Sequence, residues 1–292
     1  MATTNLSELI DMHAFWSWWQ HLPQKMDPVI FEIGSFKLQY YGLMYLVAFG
    51  VTYALAAYRI KKESRWDLTA EQLQGLLTSM IIGLVIGARL GYVIFYNLGY
   101  YIQHPLEIIL PVSFSGGFHF TGISGMSYHG GLICTILGAW WYIHKNKLKF
   151  REMADLCIPC IPAAYMFGRI GNFINGELWG RATTVPWGMY FPTGGPILRH
   201  PSQLYEASGE GILLFFILWP LRNKVSTPGA MLSLYLIGYG AVRFVIEYFR
   251  QPDEHLGFVL FSFSMGQLLC SAMMIAGVAL LLIYRKSNAL PA

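Results

Sequence analysis

One arginine follows directly on a long apolar part of the chain. The run 156–167 contains no charged residue, and Arg169 follows it after one glycine, where by length the chain is still expected inside a bilayer. On a helix, Arg169, Asn172, Gly176 and Glu177 fall on or near one face. An ionisable residue within a span is costly and usually faces a polar cavity. The pattern indicates a functional group, and the alternative is an arginine that snorkels to the headgroups.

Two other apolar segments carry an arginine in the same manner. Arg243 and Glu247 have the i, i+4 spacing of an ion pair, and Tyr239 and Arg250 continue the same helical face. Arg89 lies beside glycines spaced four residues apart, a pattern that lets a neighbouring helix approach closely. The sequence therefore offers three candidate anion-binding arginines on three predicted helices.

The composition is typical of a polytopic membrane protein. Hydrophobic residues make up 55% of the chain, charged residues 12%, and the mean hydropathy is +0.44. The net charge of +4 and the absence of a basic run with interleaved aromatics exclude a nucleic-acid partner. No HExxH, P-loop or GxSxG motif is present, so we expect no metal, no cofactor and no acyl-serine mechanism. All four cysteines lie in apolar segments and are expected to be small core residues.

The predicted fold class is an all-α polytopic membrane protein that forms a single transmembrane domain over residues 1–292. Residues 1–26 predict an amphipathic helix in the membrane interface, residues 98–128 an external arm, and the Gly/Pro-rich residues 177–202 a small external head. Seven segments approach the ~20 residues that a transmembrane helix needs, and they cover approximately 40–60, 73–97, 129–144, 154–176, 203–221, 228–249 and 263–284.

The distribution of basic residues predicts the orientation of these spans. Excess Lys and Arg belongs on the cytoplasmic side, so the N-terminus is expected outside, in the periplasm, and the C-terminus in the cytoplasm. With this orientation the outer segments hold Lys25, Lys37, Arg181, Arg199 and Arg250. The inner loops hold the larger group, Arg59, Lys61, Lys62, Arg65, Lys145, Lys147, Lys149, Arg151, Arg222, Lys224, Arg285 and Lys286.

The orientation also predicts a depth for the three arginines. Arg89, Arg169 and Arg243 each lie about 15 residues into a span that runs outward, which is ~22–24 Å up a core ~30 Å thick. His129 opens the third span from the outer side, followed by two glycines that allow a ligand to approach the backbone. The prediction is a polar pocket at the level of the outer leaflet.

Arginines in such a pocket suit a phosphate, because the guanidinium group presents a fixed fork of donors. At this depth the expected phosphate is that of a phospholipid. A lipid-modifying enzyme and an outer-leaflet lipid or anion transporter both fit this site. The chain has no visible internal repeat of the kind many transporters have, and its polar residues cluster at one depth, which favours the enzyme.

Several blocks of the chain resemble one known family. Residues 168–180, GRIGNFINGELWG, resemble the signature of the prolipoprotein diacylglyceryl transferases. Further similar blocks follow the family's order, although Ser124 stands where the family often has glycine. They are YYGLMY at 40–45, GARLGY at 87–92, SGMSYHGG at 124–131, RHPSQLYE at 199–206, GYGAVR at 238–243 and EYFRQPD at 247–253.

The resemblance implies a transferase of bacterial lipoprotein maturation in the inner membrane, with its active site near the periplasmic leaflet. Such an enzyme moves the diacylglyceryl group of phosphatidylglycerol to the lipobox cysteine in the signal peptide of a prolipoprotein. A thioether forms and glycerol 1-phosphate leaves. The thiol is activated either by His129 as a base or by the positive charge of the arginines.

The same resemblance implies roles for individual residues. The residues implied in catalysis are Arg169, Arg243, His129, Tyr239 and Glu247. The residues implied in substrate binding are Arg169, Asn172, Tyr41, Arg89, Asn175, Glu177, Gly180, His200 and Arg250.

Overall fold

The computed structural model describes residues 6–34, 36–109, 112–113, 119–120, 125–252, 258–260 and 263–289. Ser124 and Asp253, which belong to the blocks quoted above, lie outside these residues. The chain divides into two compact units. The first unit comprises Met1–Ile30, Gln39–Thr52 and Ala154–Ala292, and the second comprises Phe31–Leu38 and Tyr53–Met153.

Helices dominate the described chain. The α-helices are α1 (Leu6–Gln20), α2 (Tyr40–Lys62), α3 (Ala70–Tyr96), α4 (Leu98–Gln103), α5 (Tyr128–Lys145), α6 (Phe150–Cys157), α7 (Ile161–Ile174), α8 (Ser202–Glu206), α9 (Leu214–Leu221), α10 (Ala230–Ile246) and α11 (Met265–Ala289). Short 3₁₀ turns cover Pro23–Lys25, Pro105–Ile108 and Ile158–Cys160, and a π-helix covers Ala207–Leu213.

The prediction of an all-α chain is wrong in detail, because the described residues include three two-stranded sheets. Their strands are short and lie in connections between helices, where backbone groups need partners of their own. The strands are β1 (Val29–Ile33), β2 (Phe36–Gln39), β3 (Val112–Ser113), β4 (His119–Phe120), β5 (Phe258–Leu260) and β6 (Phe263–Ser264).

The structure supports a polytopic membrane protein. Four helical segments are long and apolar enough to cross a bilayer, namely Tyr40–Lys62, Ala70–Tyr96, Ser202–Leu221 and Met265–Ser287. Helix α10 is apolar but shorter, at 17 residues. Helical structure is also present in the other segments expected to span, 129–144 and 154–176, although these do not reach the same length and hydropathy.

The segment expected at 154–176 is not one continuous helix. A 3₁₀ turn over Ile158–Cys160 separates α6 from α7. Pro159 and Pro162 cause this break, because proline has no backbone N–H to donate within a helix. Helix α7, which carries Arg169, therefore starts afresh at Ile161 and is 14 residues long.

Helix α1 lies within the segment expected at 1–26, and its amphipathic character and its place in the membrane interface stay predictions. Trp19 attaches this helix to the segment 177–202, since its indole Nε1 donates to the carbonyl of Trp187 at 3.0 Å. Trp19 also packs against a buried core of Phe173, Met189 and Phe191.

In the second unit, α3 and α5 pack closely through glycines. A Cβ on Gly91 would lie 2.8 Å from the Cα of Gly130, and a Cβ on Gly87 would collide with the Gly130 carbonyl. The packing role predicted for these glycines is confirmed. In the first unit, the π-helix Ala207–Leu213 packs against α7 and α10, the two helices that carry Arg169 and Arg243.

Candidate active site

Arg169 is held near the end of α7 by residues of its own helix and by one acid from α8. Its Nε lies 2.6 Å from the Tyr165 hydroxyl, and its Nη1 donates to Asn172 Oδ1 at 3.3 Å. The same Nε lies 2.7 Å from Glu206 Oε2, and the Glu206 side chain is fully buried. The arginine predicted to face a polar cavity therefore faces a carboxylate.

Arg243 on α10 lies among three carboxylates. Its Nη1 is 2.9 Å from Glu206 Oε1 and 3.2 Å from Glu210 Oε1. Its Nη2 is 3.2 Å from Glu247 Oε2, which confirms the ion pair predicted from the i, i+4 spacing. Glu206 thus touches both Arg169 and Arg243, and it joins α7 to α10 electrostatically.

Arg250 completes what we call the ion-pair cluster: Arg169, Arg243, Arg250, Glu206, Glu210 and Glu247. The Arg250 guanidinium lies 3.8 Å from Glu206 and 3.9 Å from Glu247. The three arginine side chains are 12–18% exposed, whereas the three glutamate side chains are at most 3% exposed. The formal charges of the cluster cancel, with the cations nearer the surface and the anions beneath them.

The sequence analysis did not assign Glu206 and Glu210 to the site. They are two acids at i, i+4 inside an otherwise apolar span. A charged residue in such a span is costly, and the same reason singled out Arg169. They lie at the junction of α8 and the π-helix, on the side that faces Arg243. A π-turn inside a helix is frequently found at functional sites.

The signature 168–180 does not continue as one helix, which corrects the prediction of a single helical face. Helix α7 ends at Ile174, and Gly176 (φ +66°) and Leu178 (φ +58°) have left-handed backbone conformations. The chain turns back, so that Glu177 Oε1 accepts from Asn172 Nδ2 at 2.8 Å and from Asn175 Nδ2 at 3.4 Å. A turn therefore brings together the polar residues that helical spacing was expected to align.

Two further residues support this turn from neighbouring elements. Gln203 Nε2 donates to the Glu177 carbonyl at 2.6 Å, and Thr193 Oγ1 donates to the Gly176 carbonyl at 2.7 Å. Asn175 Oδ1 and Gln203 Oε1 are buried without a hydrogen-bond partner among the described residues. These two oxygens are acceptors that a donor on a bound ligand would satisfy.

Tyrosines flank the arginines in the first unit. A Cβ on Gly171 would lie 3.1 Å from the Tyr41 ring, so α2 and α7 are in close contact there. The Tyr41 hydroxyl pairs with that of Tyr45 at 3.0 Å. Tyr239 stacks on Tyr235 and meets the edge of Tyr165, which is bonded to Arg169. Both tyrosines predicted for the site therefore lie beside Arg169 or its partners.

Glu247 is fixed by Ser264 at the end of β6 and by Gly266 at the start of α11. Ser264 Oγ donates to Glu247 Oε1 at 3.1 Å. A Cβ on Gly266 would lie only 2.5 Å from the same oxygen, so only glycine leaves room for the carboxylate. The orientation of Glu247 toward Arg243 and Arg250 is thus imposed from outside α10.

Gly180 and His200 form a close backbone contact in the segment 177–202. The Gly180 N–H donates to the His200 carbonyl at 2.8 Å, and a Cβ on Gly180 would lie 2.7 Å from the His200 Cβ. His200 Nδ1 lies 3.1 Å from the Tyr205 hydroxyl, and partial burial lowers the pKa of the His200 imidazole. The contacts of both residues are structural ones, and their predicted binding of substrate stays a prediction.

Arg89 and His129 belong to the second unit. The Arg89 guanidinium donates to three backbone carbonyls, those of Glu107, Ile108 (2.8 Å) and Gly125 (3.3 Å). His129 is exposed at the start of α5, next to the ring of Tyr128. Arg89 thus anchors backbone at two places within residues 98–128, the segment expected to form the external arm, and the substrate roles predicted for Arg89 and His129 stay predictions.

The first unit therefore combines membrane-spanning helices with a buried, charge-balanced cluster of arginine and glutamate. Among the described residues, no group of three or more His, Cys, Asp and Glu side chains has the arrangement of a metal site. The arginine donors contact the protein's own carboxylates, and guanidinium groups bind phosphate and carboxylate in the same geometry. Fold and site define a polytopic membrane protein with a buried cluster of arginines and glutamates.

Comparison with known proteins gives the family. Residues 28–283 match the family model described as prolipoprotein diacylglyceryl transferase. The chain is 50% identical over 278 residues to the phosphatidylglycerol–prolipoprotein diacylglyceryl transferase of Chlorobaculum tepidum, covering 94% of this chain and 95% of that one. It is 45% identical to the same enzyme of Pseudoalteromonas atlantica, covering 88% and 89%. The chain belongs to the prolipoprotein diacylglyceryl transferase family.

Proposed function

We propose that this protein transfers the diacylglyceryl group of phosphatidylglycerol to the cysteine thiol in the lipobox of a prolipoprotein, at the outer leaflet of the bacterial inner membrane. The observation that carries the proposal is the contact of Arg169 and Arg243 with the shared carboxylate of Glu206, inside a chain of this family. Two guanidinium groups held close together are a site for one phosphate.

The reaction is a displacement at carbon. The sulfur attacks the glycerol carbon that carries the phosphate, the C–O bond breaks, a thioether forms, and glycerol 1-phosphate leaves. The phosphodiester has one negative charge and the departing phosphomonoester gains a second, while the thiol gives up its proton. Arg169 and Arg243 stabilise the charge that develops on the leaving phosphate, and they act strongly because the site is shielded from water.

The remaining residues act around this centre. Arg250 and Glu247 complete the charge balance, Asn172, Asn175 and Glu177 shape the turn of the signature, and Tyr41 and Tyr239 flank the arginines. The thiol is activated either by His129 as a base or by the positive charge of the arginines. Full activity of His129→Gln at neutral pH would exclude His129 as the base.

The proposed topology follows the distribution of basic residues. Seven segments cross the membrane, with the N-terminus in the periplasm and the C-terminus in the cytoplasm. The four long apolar helices support the membrane-spanning character of the chain. Single cysteines introduced at Ser226 and at Thr193 should be labelled by an impermeant reagent from the inner and the outer side respectively, and the reverse pattern would contradict this topology.

The activity is tested with purified protein, phosphatidylglycerol and a synthetic lipobox peptide. We expect the peptide to gain the mass of one diacylglyceryl group, and a peptide with serine in place of the cysteine to gain none. Arg243→Lys should lose most of the transfer, because lysine lacks the planar fork, whereas Arg285→Lys on the exposed face of α11 should keep it. Movement of phospholipid between leaflets without any adduct would replace the transferase by a lipid transporter.

A further inference from the structure

The ion-pair cluster has no surplus positive charge for an anionic ligand. Its three arginines face three glutamates, and each carboxylate lies within 4 Å of at least one guanidinium group. Burying one more negative charge in such a site is costly unless a positive charge arrives with it. A phosphodiester headgroup adds one negative charge, so its binding requires a compensating event.

Two of the carboxylates compete for one nitrogen. Glu206 Oε1 and Glu210 Oε1 lie 2.9 Å and 3.2 Å from the same Nη1 of Arg243, and both side chains are fully buried. Glu210 Oε2 is buried and has no hydrogen-bond partner among the described residues. When two carboxylates share one site, the pair readily takes up a proton, because the second negative charge is the most unfavourable.

The other groups around the pair are less suited to compensate for the negative charge of the phosphate. Tyr165 and Cys270 are uncharged in their ordinary forms, as is Tyr239 on α10. Glu247 is held by Ser264 and by two arginines, and Glu177 accepts from two asparagine side chains. Arg169, Arg243 and Arg250 already carry their full charge. The Glu206–Glu210 pair is therefore the group that gains most from neutralisation when an anion enters.

We propose that binding of an anionic phosphodiester lipid at Arg169 and Arg243 is coupled to the uptake of one proton by the Glu206–Glu210 pair. In the lipid-free protein, Glu206 occupies the position between the two guanidinium groups that the phosphate takes. The phosphate enters, the carboxylate gives up its ion pairs, and the proton keeps the buried charge unchanged. This inference rests on the proposed function only for the choice of lipid.

The test is calorimetric and needs no peptide. A short-chain phosphatidylglycerol is titrated into the full-length protein in an uncharged detergent, in two buffers of equal pH and different ionisation enthalpy. The difference in binding heat gives the protons exchanged, and we expect about one proton taken up per lipid. Because binding takes up a proton, the affinity for the lipid should fall as the pH rises, by up to about tenfold per pH unit in the range where the pair titrates. Equal heats and a pH-independent affinity would overturn the proposal.

Variants identify the group that takes up the proton. Glu210→Gln mimics the protonated acid, so it should bind lipid without proton uptake and more tightly than the parent protein above neutral pH. Glu152→Gln is the matched control, since Glu152 is paired with Lys149 at an exposed position, and it should behave like the parent. His129→Gln should retain the uptake. Loss of uptake in His129→Gln, or its persistence in Glu210→Gln, would contradict the assignment.

The inference and the proposed function fail separately. A protein that modifies the lipobox peptide but binds lipid without proton uptake keeps the function and loses the inference. A protein that takes up a proton with the lipid but forms no peptide adduct keeps the inference and loses the proposed function. If Glu210→Gln does not fold, the binding heats of the parent protein and of His129→Gln in the two buffers test the proton uptake.

Discussion

Arg169 and Arg243 in the first unit contrast with Arg89 in the second in what their guanidinium groups bind. In the first unit, Arg169 and Arg243 face buried carboxylates. In the second, Arg89 donates to three backbone carbonyls. A carbonyl is a neutral partner that holds backbone in place, whereas a carboxylate cancels the charge that an anionic ligand would otherwise meet.

Two other arginines of the first unit, Arg199 and Arg181, bind backbone carbonyls. Arg199 donates to the carbonyls of Gly194 and Gly180, and Arg181 donates to those of Arg250 and Glu247. Carbonyl-bound arginines thus occur in both units, and so do carboxylate-bound ones, since Arg59 and Arg65 of the second unit pair with Glu63. The difference lies in burial, because Arg169 and Arg243 share the fully buried carboxylate of Glu206, whereas the Glu63 side chain is 12% exposed.

Removing Arg243 should give the largest effect. Arg243→Ala leaves three buried carboxylates without their common cation, and breaking such a buried pair costs about 3–5 kcal/mol. We expect loss of transfer and a lower free energy of unfolding in detergent. Arg285→Ala, at an exposed position on α11, serves as the control. Near-normal stability of Arg243→Ala would mean that the cluster is not held by ion pairs.

Arg89→Lys separates anchoring from substrate binding. Lysine cannot reach three carbonyls at once, and each unsatisfied buried carbonyl costs about 1–3 kcal/mol. Amide hydrogen exchange should quicken at 104–109 and at 125–127, with the apparent KM for phosphatidylglycerol little changed. A large rise in that KM with unchanged exchange would instead place Arg89 with the substrate-binding arginines.

Gly180→Ala tests the contact on which Arg199 depends. The added methyl group would overlap the Phe249 carbonyl and lie 2.7 Å from the His200 carbonyl oxygen. Overpacking of this kind costs about 1–3 kcal/mol, and a lower thermal midpoint should report it. Gly99→Ala, where nothing lies within 4 Å of the new Cβ, should show no loss. Equal behaviour of the two variants would contradict the close backbone contact.

His200 should give the smallest effect. Partial burial lowers the pKa of its imidazole below 6.5, so the folded protein binds this proton less readily than the unfolded chain. Its contribution to stability is therefore complete above pH 6.5 and is lost as the pH falls through the lowered pKa. The thermal midpoints of the parent protein and His200→Gln should keep a constant difference above that pH and converge below it. If the difference between the two thermal midpoints grew on acidification, the pKa of His200 would be raised in the folded protein and not lowered.

Much of the site was predictable because charges in apolar segments are rare and costly. That argument identified Arg169 and Arg243, and the i, i+4 spacing predicted the pair of Arg243 with Glu247, which is confirmed. Glycine spacing predicted the contact of α3 with α5, also confirmed. The amphipathic helix expected at 1–26 stays a prediction.

Other features depended on distant parts of the chain. The turn at Gly176 ends α7 and brings Glu177 back to Asn172, and this turn is braced by Gln203 and Thr193. Helical periodicity describes one uninterrupted segment, so it does not anticipate a turn that later residues stabilise. The same limit concealed the partners of Arg243, because Glu206 and Glu210 lie more than thirty residues before it.

The sequence by itself determined the membrane class, the family and the arginines that lie within apolar segments, since each follows from composition, local spacing or motif. Only the tertiary structure decided what those arginines touch. Arg169 and Arg243 meet at Glu206 because α7, the π-helix and α10 pack together, and Arg89 meets carbonyls because its unit folds differently around it. Whether a buried charge awaits a ligand or is already balanced depends on neighbours that are close in space and distant in the chain.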